Sequence, residues 1–216
     1  MSYLKRQEVP VRWPIPRKGT AYVVKPLSEL ENSIPLLVVL RNILKIAQNR
    51  REVKRSIHQR HILVNAREVK DDKASLHLFD TLSILPSKKN YRVELSEKGK
   101  FEVREIKENE SAHKIAKITD KRTLNGKKTQ LNLSDGRNFL SDIKCNVNDS
   151  VIINLKDKKV EKCLPLKESS KALVISGKHA GEIGTIKSIN KEKKMASLDS
   201  KGTDVNVLIK QLIVTG

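Results

Sequence analysis

Apolar residues recur at helical spacing in one stretch of the first third of the chain. In Pro35–Ala47 they form a broad apolar face, made of Leu36, Leu37, Leu40, Ile43, Leu44 and Ala47. Ser33 is placed to cap such a helix, and Pro35 stands near its first turn, where the missing amide costs no hydrogen bond. The pattern therefore predicts a first helix over residues 35–47.

The following stretch, Arg50–Arg60, predicts a second helix with a much narrower apolar side. Val53 and Ile57 are four residues apart and form the side that we expect to be buried. The opposite face carries basic side chains at spacing i, i+3, i+4 and i+7, namely Arg51, Lys54, Arg55 and His58. Because like charges on one face repel each other, a partner rich in negative charge, such as a nucleic-acid backbone, would stabilise this arrangement.

After the second helix the pattern changes from helical to extended. Ile62–Val69 predicts a strand, a tight turn and a return strand, and Leu78–Ile84 predicts a second extended segment. The order of helix, basic helix, hairpin and Asp80 before a last strand resembles the small RNA-binding domain shared by bacterial ribosomal protein S4, some pseudouridine synthases and tyrosyl-tRNA synthetases. That family usually has Asn-Gly or Asp-Gly where this chain has Asn65-Ala66, and Gly-Asp where it has Phe79-Asp80.

Residues 91–168 alternate between apolar and polar positions and predict a β-rich region. The hairpin signals are Tyr91–Leu95 with Phe101–Arg104, the Asn125-Gly126 pair before Lys127, the turn Ser134–Arg137, and Val151–Leu155 with Val160–Leu164. Several short strands at this spacing fit a small barrel or a curled sheet. The region contains no arrangement of residues typical of a catalytic site.

The last segment combines short strands with glycines at regular spacing. Gly177, Gly181 and Gly184 lie between the strands Ala172–Ile175 and Thr185–Ile189, and glycine allows left-handed backbone angles and close approach of chains. This pattern resembles the KOW motif of ribosomal and transcription-elongation proteins, a small SH3-like barrel that contacts RNA or protein. The alternative is an unrelated β-hairpin loop. Lys178 and His179 could touch phosphate there, or could simply be solvated.

Residues 1–34 predict an irregular segment, because several prolines interrupt it between basic residues. One interpretation is a basic extension that becomes ordered against RNA, with Trp13 stacking on a base. The other is that Trp13 and Tyr22 pack back on the first helix. The sequence leaves both open.

Charge strengthens the nucleic-acid interpretation. The chain has a net charge of +19 and a pI near 10.0, and residues 1–70 contain 15 Lys and Arg but 5 Asp and Glu. Such an excess of positive charge indicates that the binding partner is a nucleic acid, with an anionic membrane surface as the second choice. The longest apolar run, Pro35–Leu40, is far shorter than the roughly 20 residues that span a membrane. The N-terminus also lacks the apolar core of a signal peptide.

The sequence offers little for catalysis or metal binding. Cys145 and Cys163 are too far apart for a Cys-x-x-Cys pair, and we expect both to be reduced thiols. Gly126-Lys127-Lys128-Thr129 lacks the upstream glycine that a phosphate-binding loop requires. The Arg-Leu-Asp element of the large pseudouridine synthase families is also missing. We therefore predict no enzyme activity, no metal, no cofactor and no small-molecule substrate.

Taken together, the motifs resemble the archaeal and eukaryotic ribosomal S4e family over nearly the whole chain. The matching stretches are Leu4-Lys5-Arg6 with Pro10 and Trp13, Leu36–Asn42, Asn148–Val151 and the glycine loop. The resemblance implies an α+β protein, with a basic extension (1–34), an S4-like RNA-binding domain (35–90), a central β-rich domain (91–168) and a KOW domain (169–216). The short C-terminus after the barrel resembles archaeal members, since eukaryotic ones carry a basic tail.

The same resemblance implies a structural component of the small ribosomal subunit. Its expected partners are small-subunit ribosomal RNA and neighbouring ribosomal proteins, its expected location is the ribosome in the cytoplasm, and no membrane is involved. A non-ribosomal RNA-binding or ribosome-assembly factor is the alternative, and an RNA-modifying enzyme is a more distant one. We expect RNA contacts from Lys5, Arg6, Arg12, Trp13, Arg17, Lys18, Arg41, Arg50, Arg51, Lys54, Arg55, His58, Arg60, Arg67, Lys178 and His179.

Overall fold

The computed structural model describes residues 3–124, 128–141, 143–190, 192–200 and 202–216. The chain forms two compact units. The first contains the residues up to Ser96 together with Lys100–Ala112, and the second contains Glu97–Gly99 and His113–Gly216. Strands dominate both units and the helices are few and short.

The first unit contains nine strands and three α-helices among its described residues. In chain order they are β1 (Leu4–Lys5), β2 (Tyr22–Val23), β3 (Ser33–Pro35), α1 (Leu36–Val38), α2 (Arg50–His58), β4 (Ile62–Val64), β5 (Arg67–Glu68), β6 (Ser75–His77), β7 (Thr81–Ile84), β8 (Lys89–Leu95), β9 (Phe101–Ile106) and α3 (Glu108–Ser111). The main sheet has the order β5-β4-β7-β8-β9, while β1 pairs with β2 and β3 pairs with β6. The buried core includes Trp13, α1 and the apolar side of α2.

The predicted first helix is shorter than its apolar pattern suggested. It begins at Leu36 after the strand β3, and α1 continues as a π-helical turn over Val39–Ile43. The Ser33 hydroxyl donates to the carbonyl of Glu29, so the prediction that it caps the helix was wrong. Lys45 has φ = 53°, a left-handed conformation that a right-handed helix cannot contain. The helix therefore ends before Ala47.

The hairpin after α2 is confirmed, and it closes without glycine. Strands β4 and β5 pair across Asn65-Ala66, where φ is 51° and 59°. Two consecutive positive φ angles define a type I′ turn, the usual two-residue connection of a hairpin. The Asn65 side chain fixes the turn from within: its oxygen accepts from the Thr81 amide at 3.1 Å, and its amide donates to Asp80 at 2.8 Å.

The second predicted extended segment, Leu78–Ile84, was only partly right, because the strand β7 begins at Thr81. The residues before it form a turn in which Phe79 has φ = 62°. Asp80 holds this turn by accepting a hydrogen bond from the His77 amide at 2.7 Å. Carboxylates commonly stabilise turns by bonding to nearby backbone amides in this way.

The second unit contains two five-stranded antiparallel sheets among its described residues. The strands are β10 (His113–Thr123), β11 (Thr129–Leu133), β12 (Asn138–Leu140), β13 (Ser150–Asn154), β14 (Lys159–Leu164), β15 (Lys171–Val174), β16 (Ile183–Asn190), β17 (Met195–Ser200), β18 (Thr203–Leu208) and β19 (Leu212–Val214). The central sheet has the order β12-β11-β10-β13-β14, and the C-terminal sheet has the order β18-β17-β16-β15-β19. Each sheet has its own apolar core.

Most of the predicted hairpins are present. The turn Ser134–Arg137 joins β11 to β12, and β13 pairs with β14. The predicted Asn125-Gly126-Lys127 turn lies outside the described residues. The first predicted hairpin is β8 with β9, and β8 also pairs with β7, so this hairpin belongs to the main sheet of the first unit. The division of the chain at residues 34, 90 and 168 stays a prediction.

A buried lysine joins the two sheets of the second unit. The Lys117 ammonium donates to the carbonyl of Leu212 at 2.8 Å and to that of Ile209. Burial lowers the pKa of Lys117 to about 8. Cys145 and Cys163, both in the core of the central sheet, are free thiols. Burial, reinforced by the neighbouring Cys145, raises the pKa of the Cys163 thiol to about 12, which keeps it protonated.

Candidate nucleic-acid interface

The helix α2 is built to present one apolar side and one basic side. Asn49 caps its first turn by accepting a hydrogen bond from the Glu52 amide at 3.0 Å. The Glu52 carboxylate in turn accepts from the Gln48 amide at 2.7 Å. Val53 and Ile57 are buried, as predicted, and attach the helix to the core. These contacts fix the orientation of the helix, so its other side faces solvent.

The four predicted basic side chains of α2 lie exposed on this solvent-facing side. Within the part of the chain that the structure describes, none of Arg51, Lys54, Arg55 and His58 forms a hydrogen bond or an ion pair. We call these four residues the basic face of α2. Lys54 is attracted by the charge of Asp72, but within the described residues no acidic side chain forms an ion pair with the basic face, so it can still bind an anion.

The two arginines at the ends of this region are paired. The Arg50 guanidinium binds Asp72 through two hydrogen bonds of 2.6 and 3.2 Å, and the Asp72 carboxylate is fully buried. Burial alone would raise the pKa of Asp72, but the hydrogen bonds from Arg50 and the positive charges of Arg50 and Lys54 lower it below its ordinary value. Arg60 pairs with Glu68 at 3.5 Å, with both side chains exposed. Both arginines therefore have an acidic partner, unlike the basic face of α2.

Arg67 and Arg41 differ in their surroundings. Arg67 is exposed on β5, directly after the Asn65-Ala66 turn, and the ion pair of Arg60 with Glu68 places β5 beside the end of α2. Arg67 therefore extends the same positive surface. Arg41 is partly buried in the π-helical turn, and its guanidinium donates to the neighbouring Asn42 side chain at 3.0 Å.

In the N-terminal segment two predicted RNA-binding arginines hold the segment together. The Arg6 guanidinium donates to the carbonyls of Pro16 and Thr20 at 2.7 and 2.6 Å and to the Thr20 hydroxyl at 2.8 Å. Arg12 donates to the Asn32 side chain at 3.1 Å, and burial lowers the pKa of Arg12 while Glu31 and Glu29 oppose that shift. The exposed basic residues of this segment are Lys5, Arg17 and Lys18.

Trp13 lies in the core of the first unit. Its side chain is 2% exposed, and its indole N–H donates to the Ser33 carbonyl at 2.9 Å. An indole ring buried in this way has no face available to stack on a base, so the structure corrects the RNA-contact prediction for Trp13 in favour of the packing alternative. Tyr22 does not share this core position, because it is exposed and packs edge-on against Tyr3.

The glycine loop of the C-terminal sheet has the geometry that the sequence predicted. Gly177 and Gly181 have φ of 95° and 93°, and a Cβ on Gly184 would collide with the carbonyl oxygen of Asp199. Lys178 is exposed at the tip of this loop. His179 is tied to Glu182 at 3.0 Å, which leaves its imidazole less available to a phosphate than the sequence suggested.

Other kinds of site are not evident. In the described ranges no group of three or more His, Cys, Asp or Glu side chains could hold a metal ion. A search of the same residues finds no helix with the length and apolar character needed to cross a membrane. The sequence did not predict the contact of Asp72 with Arg50, because the two residues are 22 positions apart and no local pattern connects them.

Comparison with known proteins identifies relatives along most of the chain. Residues 87–160 match the ribosomal family S4e, and residues 169–210 match the KOW motif. The small ribosomal subunit protein eS4 of Methanothermobacter thermautotrophicus is 40% identical over 192 residues, which cover 88% of this chain and 79% of that protein. The eS4 protein of Archaeoglobus fulgidus is 34% identical over 98% of this chain and 92% of its own length.

A solved structure has the same fold. The crystal structure of the 30S ribosomal protein S4e from Thermoplasma acidophilum superposes with a TM-score of 0.74 at 23% sequence identity. The match covers 86% of this chain and 96% of that one. The predicted α+β architecture with a C-terminal KOW domain is confirmed by this match and by the KOW match.

Proposed function

The chain belongs to the ribosomal family S4e, and from that membership we propose that it is a structural constituent of the small ribosomal subunit that binds ribosomal RNA through the basic face of α2. The observation that carries the RNA contact is the unpaired state of this face within the described residues. Val53 and Ile57 hold the helix, so the four basic side chains are presented without disturbing the core.

The basic side chains of this face are suited to binding the phosphate groups of RNA. Each lysine or arginine that neutralises a phosphate releases condensed counterions, which supplies affinity independent of base sequence. Arginine also offers planar donors that match phosphate oxygens in pairs. Arg67 on β5 widens the surface, so the RNA backbone would cross the end of α2 towards the hairpin.

The protein acts as an architectural component in this proposal. Exposed basic residues occur in both units, with Lys178 in the glycine loop and Lys5, Arg17 and Lys18 in the N-terminal segment. Separate basic sites on one chain can hold separate RNA segments, and the remaining surface is available to neighbouring ribosomal proteins. Its place of action is the ribosome in the cytoplasm. The relatives are ribosomal proteins rather than enzymes.

The test is the behaviour of the endogenous protein in sedimenting small subunits washed with increasing salt. An integral component is present at one copy per mature subunit and remains bound at high salt. Presence below one copy, or release at modest salt, would contradict the proposal and would favour an assembly factor that binds by charge alone and dissociates.

A further inference from the structure

A pocket lies beside α2 in the first unit, on the flank of the helix between its buried side and its basic face. Its volume is about 390 Å³. The aliphatic walls are formed by Ile46, which follows the π-helical turn, by Val53 on α2, and by Ile62 and Ile84 on the paired strands β4 and β7. The Ile46 side chain is 53% exposed, so the mouth of the pocket is apolar as well.

The size of the pocket limits what it can hold. Small-molecule sites in proteins typically measure about 300–1,000 Å³ and are mostly apolar with a few polar groups. At about 390 Å³ this pocket is near the lower limit, which suits a single planar ring system better than a long peptide segment. Both faces of a nucleobase are apolar, while its edge carries hydrogen-bonding groups, and aliphatic walls can enclose such a ring.

Two of the polar side chains that line the pocket are free to bind a ring edge. The other two are already bonded: the Glu52 carboxylate accepts from the Gln48 amide and the Asn49 side chain, and the Ser87 hydroxyl donates to the Ile84 carbonyl. The Ser56 hydroxyl and the His61 imidazole both line it, and within the described ranges neither side chain has a hydrogen-bond partner. Their backbones are tied together, since the His61 amide donates to the Ser56 carbonyl at 3.0 Å. A hydroxyl and an imidazole can each donate or accept, as the edge of a base requires.

The pocket is also next to the basic face of α2. Ser56 follows Arg55 directly and Glu52 follows Arg51, so on a helix with 3.6 residues per turn each pocket residue lies about 100° from an exposed arginine. The Arg51–Arg55 edge of the basic face therefore borders the pocket. A nucleotide whose phosphate binds this edge has its own base within reach of the pocket.

We propose that this pocket receives one unstacked nucleobase of the bound RNA, while Arg51 and Arg55 bind the adjacent phosphates. The proposal rests on the proposed function and deepens it. The basic face of α2 binds any phosphate, whereas the pocket would bind only where a base is unstacked. Sequence-selective RNA recognition usually targets bases that are turned out of the helix in this way. A basic border favours a nucleotide over an apolar peptide, which would gain nothing from the arginines.

The first experiment uses the full chain with ¹³C-labelled isoleucine methyl groups and separate titrations with AMP, GMP, CMP and UMP. At least one nucleotide is expected to shift the methyl signals of Ile46, Ile62 and Ile84, while ribose 5-phosphate, which has no base, leaves them in place. Equal shifts with ribose 5-phosphate, or no shift with any nucleotide at millimolar concentration, would overturn the proposal. Shifts produced only by an acidic, leucine-rich tetrapeptide would assign the pocket to a protein partner instead.

The second experiment fills the pocket and maps the RNA. Ser56→Leu places a larger side chain in the pocket, and Ala47→Leu does so from another wall if the first variant folds poorly. Gln59→Leu is the control, since it adds the same side chain at the exposed residue directly after α2, outside the pocket. Ribosomal RNA bound to each protein is probed at its base edges with dimethyl sulfate for A and C and with a carbodiimide for G and U.

The expected result is one nucleotide that is protected by the original protein and by Gln59→Leu but reactive with the filled variants, together with an affinity loss of about tenfold. Unchanged protection and affinity in folded Ser56→Leu and Ala47→Leu proteins would overturn the pocket proposal and leave the proposed function standing. A missing base footprint with the original protein while it still binds the RNA would also overturn the pocket proposal alone, whereas absence of any RNA binding would overturn both.

Discussion

The N-terminal segment and helix α2 are both rich in basic residues, yet the structure uses the two sets differently. In the N-terminal segment the guanidinium of Arg6 is surrounded by backbone carbonyls, and that of Arg12 contacts Asn32. On α2, Arg51 and Arg55 face solvent and have no partner in the described part of the chain. Arginines of equal charge in the sequence therefore have different roles in the protein.

The difference arises from where the backbone can supply acceptors. A helix satisfies its own carbonyls, so its exposed side chains find no acceptor on the same element. An irregular segment with several prolines leaves carbonyls unpaired, and arginine, with five donors, can bond to several of them at once. We infer that a basic residue on a regular helix is a better candidate for RNA binding than one in an irregular segment.

The largest effect that tests this comparison is expected from Trp13→Ala. Because Trp13 is buried and anchors the N-terminal segment to the core, the change should lower the free energy of unfolding by about 3–5 kcal/mol. Denaturant unfolding followed by circular dichroism measures this loss. Val11→Ala is the control, since Val11 is 71% exposed and should change stability by less than about 0.5 kcal/mol. Equal stability of both variants would mean that the segment does not depend on Trp13.

The next effect is expected from Arg51→Glu combined with Arg55→Glu. Loss of two phosphate contacts should weaken RNA binding by about tenfold or more and should reduce the slope of log affinity against log salt by about 2. Folding should be unchanged, since Val53 and Ile57 keep the apolar side of the helix buried.

Filter binding at several salt concentrations measures both quantities. Lys100→Glu with Arg104→Glu makes the same change in net charge at exposed positions of the same unit outside the predicted RNA contacts. If this control pair loses as much affinity as the α2 pair, the net charge of the protein and not the basic face of α2 determines binding.

An effect of similar size, on stability instead of RNA binding, should come from Arg50→Ala, which tests the comparison within α2 itself. The change leaves the Asp72 carboxylate buried without its guanidinium and should cost about 1–3 kcal/mol of stability. The exposed neighbour Arg51→Ala should cost less than about 0.5 kcal/mol.

The pH dependence of this cost follows from the lowered pKa of Asp72. A carboxylate whose pKa is lower in the folded state stabilises the protein above its ordinary pKa, near 3.9, and loses that contribution as the pH falls through the folded value. The stability difference between the original protein and Arg50→Ala should therefore shrink below about pH 4. A difference that stays constant down to pH 2 would exclude the ion pair as its source.

The smallest effect is expected from Arg6→Ala. The change removes three hydrogen bonds to Pro16 and Thr20, but these lie at the surface, so the cost should be about 1 kcal/mol and should be local. Faster amide hydrogen exchange around residues 16–20 is the measurement. Lys5→Ala removes the same charge from an exposed position outside that stretch and should leave the exchange unchanged. If the two variants weaken RNA binding equally while exchange stays slow, Arg6 is an RNA contact instead.

Two turns show how far local sequence determines structure. The glycine loop was predictable, because Gly177 and Gly181 permit the positive φ angles that the loop adopts. The Asn65-Ala66 turn adopts equally positive angles without glycine, and no local signal compels Ala66 to do so. It is held by long-range hydrogen bonds, since the Asn65 side chain donates to Asp80 and accepts from the Thr81 amide. A contact between residues fifteen positions apart cannot be deduced from local periodicity.

The amino-acid sequence by itself determined the features that depend on periodicity and motif. These include the amphipathic helix α2 with Val53 and Ile57 buried, the β-rich remainder, the KOW segment and the family resemblance. Only the tertiary structure decided which basic residues are available, since Arg50 meets Asp72 and Arg6 meets Pro16 and Thr20 through folding. Charge and spacing are local properties, whereas the partner of a side chain is set by the packing of distant segments.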